Sequence, residues 1–216
     1  MNCRLPFRLA PIAVAAAALS LSAVGTAQSQ SADVLLDCSA CHDSTASTPS
    51  RPSVPGPFPD LSGQPARYIA HQLEAYRKGL RQHRQMEKTA TALGEGGAAA
   101  MARLYADAPQ PDLRPPAREE ADTTGWSLVV NGAWERGVPP CASCHGVSAD
   151  DTGRLAPILI GRDPAYLAHE LRAYADGDRR SDTMGRMRAF AAQLTPSEID
   201  AVAEYYGAWR SQEDEP

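Results

Sequence analysis

Apolar positions recur at helical spacing in two stretches of the chain, and the two stretches match each other. Ile69, Leu73 and Tyr76 define one apolar face of a helix predicted over residues 64–79, and the pattern returns over residues 163–177. A proline near each start and a glycine at each end are typical helix boundaries. The offset between the halves is constant at 98 residues, and it relates Pro59/Pro157, Gly63/Gly161, Tyr68/Tyr166, His71/His169, Leu73/Leu171, Tyr76/Tyr174 and Gly79/Gly177.

A further helix is predicted near the end of each half. Residues 195–198 (TPSE) have the pattern of a capping box with proline in the first turn, and an apolar stripe follows. The corresponding stretch of the first half, residues 94–105, starts with glycines and is a weaker helix former. Thr123 to Trp134 are predicted to form the opening helix of the second half, whereas only Ser31 to Asp37 remain for that element in the first. No alternating strand pattern stands out, so we expect an all-α fold made of a tandem repeat.

The ends of the chain and the junction between the repeats differ in composition from the helical parts. A basic start, an apolar run over residues 11–21 and small residues at 25–27 predict that residues 1–27 are a signal peptide. A stretch rich in proline and charge predicts a linker over 107–122, which separates a first domain at 28–106 from a second at 123–216. No later stretch has the length of a transmembrane helix, so we expect an exported, periplasmic protein.

Two short motifs carry the candidate chemistry, because the pattern C-x-x-C-H occurs once in each half. This pattern is typical of covalent attachment of c-type haem, in which the two thiols bond to the porphyrin and the adjacent histidine becomes an iron ligand. The motifs supply Cys38, Cys41 and His42 in the first half, and Cys141, Cys144 and His145 in the second. We therefore predict two covalently bound haems, which would also complete the small apolar cores of the two domains.

Other uses of paired cysteines fit the sequence less well. A single zinc site would have to close a loop of 99 residues between Cys41 and Cys141, which is far longer than a zinc-finger loop, and would leave both histidines unused. A thioredoxin-like redox pair would need a βαβ context, which neither motif has. Disulfide bonds are the remaining alternative.

The net charge limits the range of partners. Without Arg4 and Arg8 of the signal peptide, 19 of the 21 basic residues remain against 26 acidic ones, a net charge of −7. An acidic surface argues against nucleic acid and anionic lipid, and it favours a partner protein with a basic docking face.

A second axial ligand is needed to close the coordination of a histidine-bound haem iron, and methionine gives an iron suited to electron transfer. Met101 lies on the apolar stripe of a helix and is predicted to fill the core. Aligning the last helices by Leu93/Leu194 and Tyr105/Tyr206 gives an offset of 101 and pairs Met86 with Met187. The offset of 98 pairs Met86 with Met184 instead. We predict Met86 and Met187 as ligands, and Met184 stays the alternative.

Two further repeat pairs have candidate roles. The carbonyl of Pro59 or Pro157 could accept the Nδ1 proton of the iron-binding histidine and orient its ring, or these prolines could simply shape turns. His71 and His169 share one face with Tyr68 and Tyr166. Each is either an exposed histidine on a helix flank or a histidine near the haem propionates. In the second case, reduction of the iron would change the protonation of the histidine.

The two motifs, the P-x-L-x-G-x-x-x-x-Y segments, the L-x-x-Y helices that end in glycine and the late Met-x6-Leu together resemble the dihaem cytochrome c4 family over residues 31–210. The resemblance implies two cytochrome c-like domains related by a pseudo-twofold axis, haem propionates near their interface, and His/Met ligation of both irons. Three departures affect the first domain. Asp43 replaces the usual glycine after the motif, the opening helix is truncated, and the last helix is rich in glycine.

The predicted function is transfer of single electrons between redox partners of a respiratory chain, such as a bc1-type complex and a terminal oxidase. The alternative is a haem subunit that accepts electrons within a periplasmic dehydrogenase complex, for example with a flavoprotein sulfide dehydrogenase. A dihaem peroxidase fits less well because the chain is short for that family and a methionine is present for each iron. We therefore predict an electron-transfer protein rather than an enzyme.

Overall fold

The computed structural model describes residues 38, 41–42, 58–110, 113–115, 123–146 and 156–211. The predicted signal peptide and the segment from Ser31 to Asp37 lie outside the described residues. Within the described part, helices dominate, as predicted. The strands are two residues long: β1 (Leu113–Arg114) pairs antiparallel with β2 (Arg210–Ser211), so the end of the chain contacts the stretch between the two halves.

Between residues 58 and 110 the first half contains two helices, α1 (Ala66–Arg77) and α2 (Arg84–Ala106). Helix α1 ends at a turn in which Gly79 adopts φ +66°, as its predicted role as a helix terminator requires. Helix α2 begins ten residues earlier than the sequence predicted and contains a kink at Gly94 (φ 62°, ψ −172°). The kink divides α2 into a segment that carries Met86 and a segment that corresponds to the predicted last helix.

The second half repeats this arrangement with more, shorter elements. In chain order they are α3 (Thr123–Val130), a 3-10 turn (Trp134–Arg136), α4 (Ala142–His145), α5 (Pro164–Ala175), a 3-10 turn (Thr183–Gly185), α6 (Arg186–Ala191) and α7 (Pro196–Gly207). Helices α6 and α7 correspond to the two segments of α2. The predicted capping box is confirmed, because the Thr195 side chain accepts from the Glu198 amide and the Glu198 side chain accepts from the Thr195 amide.

The predicted opening helix of the second half was too long. Helix α3 ends at Val130, and Gly132, at φ +73°, turns the chain away. Ala133 then pairs with Val138, and the 3-10 turn with the exposed Trp134 lies between them. The segment that leads into Cys141 and helix α4 is therefore this turn and not the predicted helix.

Each half has its own buried apolar cluster among the described residues. Helix α1 packs on α2 in the first half, and α5 packs on α6 and α7 in the second, where α3 also contacts α7. Three of the seven buried residues of the first cluster are alanines, compared with three of the fourteen in the second, so the second cluster is larger and less rich in alanine. Met101, only 7% exposed, is buried, as predicted for a core-filling side chain. None of the described helices is long and apolar enough to cross a membrane.

The kink in α2 leads to a testable prediction about the replacement of Gly94. Its backbone angles lie in a region that is essentially restricted to glycine, while an added Cβ would meet no atom within 4 Å. We expect Gly94→Ala to lower the free energy of unfolding by about 1–3 kcal/mol through backbone strain alone, measured by denaturant unfolding.

Gly96→Ala is the matched control, since Gly96 is exposed, lies in the same helix and also has open space around it. That variant should be stabilised by about 0.5 kcal/mol. Equal stabilities of the two variants would contradict the assignment of strain to Gly94.

Candidate functional site

A cavity of about 480 Å³ lies between the two halves and is lined by residues of both. Its volume is within the range typical of cofactor sites. His42 and Met86 line it from the first half, and His145 and Met187 line it from the second. The structure therefore brings the predicted ligands of both halves to the wall of one continuous cavity.

The two motif histidines have the same environment. Each is 8% exposed, and each Nδ1 lies at hydrogen-bond distance from a proline carbonyl, 2.8 Å from Pro59 for His42 and 2.9 Å from Pro157 for His145. Because a carbonyl oxygen can only accept, Nδ1 carries the proton, and Nε2 of the neutral ring keeps its lone pair. That is the form of imidazole that binds a metal. The prediction that these prolines orient the histidines is confirmed.

Burial also keeps both rings neutral. Removal from water lowers the pKa of His42 and of His145 below the ordinary value, and the hydrogen bonds to the proline carbonyls offset only part of that effect. In the first half the Phe58 ring packs edge-on against His42, with 6.2 Å between the ring centroids. The second half has Ala156 at the equivalent position, so this contact is not repeated.

The loops that carry the two proline carbonyls are anchored in the same way. The Gly63 amide donates to the Tyr105 carbonyl at 2.7 Å, and the Gly161 amide donates to the Tyr206 carbonyl at 2.8 Å. Both glycines have positive φ, 65° and 68°. The P-x-L-x-G segment therefore links the histidine of each half to the last helix of that half.

The four cysteines of the two motifs lie as one pair in each half. Cys38 and Cys141 are half-buried beside the apolar clusters, whereas Cys41 and Cys144 are exposed. Within the described residues, no group of three or more potential metal ligands converges on one point, as a single zinc site would require. Burial raises the pKa of the Cys141 thiol to about 11.

The three candidate methionines lie in different surroundings. Met86 and Met187 are half-buried and line the cavity, whereas Met184 is 75% exposed. Met184 has φ 59° and belongs to the 3-10 turn (Thr183–Gly185), within the stretch where the second half is three residues longer than the first. His83 caps the start of helix α2: its Nδ1 accepts from the Met86 amide and so positions the turn that carries Met86. The assignment of Met86 and Met187 as iron ligands stays a prediction.

Four side chains join the halves at the cavity, and we call them the interface square: Gln72, Arg81, Glu170 and Arg179. Arg81 donates to Gln72 and to Glu170, and Arg179 donates to Glu170 (2.7 Å) and to Gln72 (2.8 Å). Each arginine also donates to a tyrosine hydroxyl of the opposite half and lies over a tyrosine ring of its own half. The square is buried and ties α1 to α5.

The charges on the cavity wall fit a cofactor that carries carboxylates. Three arginines line the wall against two carboxylates, those of Asp60 and Glu170. Arg162 is 8% exposed and pairs with Asp60 at 2.9 Å, but its Nε is buried without a hydrogen-bond partner. A buried donor of this kind is costly unless it meets an acceptor, and a haem propionate is such an acceptor. The residues present therefore fit a haem.

The sequence prediction missed the interface square. Arg81 and Arg179 obey the same offset of 98 as the recognised repeat pairs and lie two residues after the terminating glycines. Extending the comparison past those glycines would have found both. Nothing in the sequence indicated that Gln72 and Glu170 would share Arg81 and Arg179 as donors.

The two repeat histidines on the helix flanks differ in their contacts. His71 and His169 are both exposed, which agrees with the simpler of the two predictions. His71 Nε2 is 2.9 Å from the Ser181 carbonyl of the other half, so this side chain contributes to the interface. His169 lines the cavity. Their response to reduction stays untested.

Similarity to known proteins agrees with this geometry. The family profile described as cytochrome c oxidase, cbb3-type, subunit III matches residues 134–205. The thiosulfate dehydrogenase electron acceptor of Stutzerimonas stutzeri is 34% identical over 170 residues, which are 78% of this chain and 77% of that protein. Cytochrome c4 of Thiocapsa roseopersicina is 34% identical over 184 residues, which are 84% of this chain and 92% of that protein.

A solved structure shares the fold. Thiosulfate dehydrogenase (TsdBA) from Marichromatium purpuratum superposes with a TM-score of 0.66 at 30% identity; the match covers 82% of this chain but only 37% of that longer protein. Repeated helical halves, each with a buried motif histidine at a shared cavity, define a c-type cytochrome that holds covalent haem and transfers electrons. The chain belongs to the dihaem cytochrome c4 family.

Two hydrogen bonds between the halves lead to a testable prediction about the replacement of Gln64. This residue is 4% exposed and pairs with both backbone groups of Ile158, Nε2 to the carbonyl at 2.8 Å and Oε1 to the amide at 3.0 Å. We expect Gln64→Ala to lower the free energy of unfolding by about 2 kcal/mol, because it leaves two buried polar groups unpaired.

Gln110→Ala is the matched control for this variant. Gln110 makes one long contact to the Ser62 carbonyl at 3.4 Å and is only half-buried. Its replacement should change stability by less than about 0.5 kcal/mol. Equal losses in the two variants, measured on the haem-loaded protein, would contradict a special role for the Gln64 pairing.

Proposed function

We propose that this chain carries two c-type haems, one in each half, and accepts electrons from a periplasmic dehydrogenase that oxidises thiosulfate. The observation that carries the proposal is the continuous cavity whose wall includes a histidine and a methionine from each half. The dehydrogenase is inferred from two relatives that are named as electron acceptors of thiosulfate dehydrogenase, 34% and 33% identical to this chain.

The residues have complementary tasks in this proposal. A bound c-type haem supplies one-electron chemistry at its iron. The thiols of Cys38, Cys41, Cys141 and Cys144 would attach the two groups covalently. His42 and His145 present Nε2 of a neutral imidazole because their Nδ1 protons are held by proline carbonyls.

The remaining wall residues control what surrounds the cofactors. The thioethers of Met86 and Met187 would fill the distal positions, which excludes exogenous ligands and favours electron transfer over catalysis at the iron. Arg81, Arg162 and Arg179 would neutralise propionates on the side where the halves meet. Gln72, Arg81 and Arg179 are buried, so they would limit the access of water to the bound groups where the halves meet.

A second candidate function is electron transport within a respiratory chain, with a bc1-type complex or a terminal oxidase as partner. It is favoured by the similarity to a protein named cytochrome c4, of which this chain spans 92%. The two functions use the same cavity and differ only in the partner. Both require export to the periplasm, where the chain would consist of the domains predicted at 28–106 and 123–216.

The experiment that tests the proposed function is anaerobic mixing of the oxidised protein with a purified thiosulfate dehydrogenase and thiosulfate. Stopped-flow recording of the haem absorption should show complete reduction of the chain, by two electrons, on the time scale of dehydrogenase turnover. Thiosulfate without the dehydrogenase is the control and should reduce the protein far more slowly. Reduction at the same rate with and without the dehydrogenase would contradict the proposed partner.

The choice of distal ligand in the second half gives a separate prediction. Met187→Ala should remove the thioether-to-iron charge-transfer band of one haem, lower its potential, and allow imidazole to bind that iron, because the side chain at the cavity wall is lost.

Met184→Ala should leave the band and the potential unchanged, since Met184 is 75% exposed and does not line the cavity. The opposite pattern in the two variants would identify Met184 as the ligand. Thermal unfolding of both variants checks that each remains folded.

A further inference from the structure

The interface square departs from the pseudo-twofold relation at one position. Tyrosines 68/166 and 76/174 and arginines 81/179 are identical pairs at the offset of 98 residues. The fourth pair at this offset is Gln72 and Glu170, two side chains of the same length and shape that differ by one negative charge. In the interface square the donor is an arginine in both halves, whereas the acceptor is neutral in the first half and negatively charged in the second.

The two acceptor side chains have nearly the same hydrogen bonds. Gln72 Oε1 accepts from Arg81 Nη1 at 3.2 Å and from Arg179 Nη2 at 2.8 Å. Glu170 accepts from Arg81 Nη2 through Oε1 and from Arg179 Nη1 at 2.7 Å through Oε2. Gln72 Oε1 has one additional donor, Ser181 Oγ at 3.0 Å. Because their bonding to the arginines is so similar, charge is the main property that distinguishes the two positions.

The charge of Glu170 is permanent under ordinary conditions and poorly screened. Its side chain is 15% exposed, and those of Arg81 and Arg179 are 8% and 6% exposed. Burial by itself would raise the pKa of Glu170, but Arg179 and Arg81 outweigh burial and hold the pKa below its ordinary value. A carboxylate that stays ionised in a region of low dielectric constant acts on other charges over longer distances than a surface carboxylate does.

Both acceptor positions lie on the wall of the cavity. Gln72 lines it from α1 and Glu170 from α5, as do both arginines. Through the pseudo-twofold relation, Glu170 has the position relative to His145 and Met187 that Gln72 has relative to His42 and Met86. The two sites are equally far from a charge only if the charge lies in the plane midway between them. Glu170 belongs to α5, which packs on α6, the helix that carries Met187, so its charge lies on the side of the second half's site.

We propose that Glu170 makes the two haem sites electrostatically unequal and sets part of the difference between their midpoint potentials. A fixed negative charge stabilises the oxidised, more positive iron and lowers the potential, and it acts more strongly on the nearer site. The inference rests on the two-haem proposal above. Its consequence for function is that an electron has a preferred site within the chain, which gives transfer through the protein a direction.

The test is a spectroelectrochemical titration of three proteins at pH 7. They are the wild type, Glu170→Gln, which removes the asymmetric charge, and the exchange variant Gln72→Glu/Glu170→Gln, which moves the charge to the other half. Glu170→Gln should raise both potentials and change the gap between them. The exchange variant should change the gap in the same direction by about twice as much, while the mean of the two potentials stays nearly constant.

A matched control separates this effect from a general effect of charge. Glu74→Gln removes one carboxylate from the same helix as Gln72, but Glu74 is 31% exposed and pairs with Arg77 and Lys78 at the surface. Solvent screening should leave the gap unchanged in this variant. A loosened interface would alter both potentials without conserving their mean, so the exchange variant also distinguishes an electrostatic role from a merely structural one.

The outcomes distinguish the two proposals. Uptake of two electrons per chain with the same gap in Glu170→Gln as in the wild type would overturn the role of Glu170 and leave the two-haem proposal intact. Uptake of one electron per chain would overturn the two-haem proposal itself. If the exchange variant fails to fold, the difference between the two midpoint potentials in Glu170→Gln alone tests the role of Glu170.

Discussion

The hydrogen bond from each motif histidine to a proline carbonyl is the constraint on which the two halves depend. The bond assigns the proton to Nδ1, and burial lowers the pKa so that the ring stays neutral and Nε2 remains free to bind a metal. A carbonyl can serve in this way only if its loop is held in place. Gly63 and Gly161 hold it through the carbonyls of Tyr105 and Tyr206 on the last helices, so the glycine, the turn and the helix all contribute to the orientation of one ring.

The second organising feature is the buried charge where the halves meet. Isolated arginines would be costly in such a place, but the interface square gives Arg81 and Arg179 shared acceptors, and a cofactor carboxylate would give Arg162 Nε its missing partner. The interface is therefore part of the functional site as well as a contact between domains. Gln72 and Glu170, which differ by one negative charge, both lie on the wall of the cavity that the two halves share.

The repeat offset, the paired motifs and the approximate bounds of α1, α5 and α7 were predictable because each depends on local chemistry. Pro59 and Pro157 could be selected as partners of the histidines because they recur in both halves. The end of α3 at Val130 was missed because Gly132 interrupts an otherwise helical pattern, and the long α2 was missed because glycines usually end helices. The interface square depends on contacts between residues about 100 positions apart, and no local pattern predicts that Arg179 will reach Gln72 or that Arg81 will reach Glu170.

Attachment of one haem by each half can be measured by intact-mass spectrometry of the denatured, exported protein, because only covalently bound haem survives denaturation. We expect the mass of the chain without residues 1–27 plus two haems, and the mass of one haem less when Cys141 and Cys144 are both replaced by alanine. A single haem on the unmodified protein, or none, would contradict the attachment of one haem by each half.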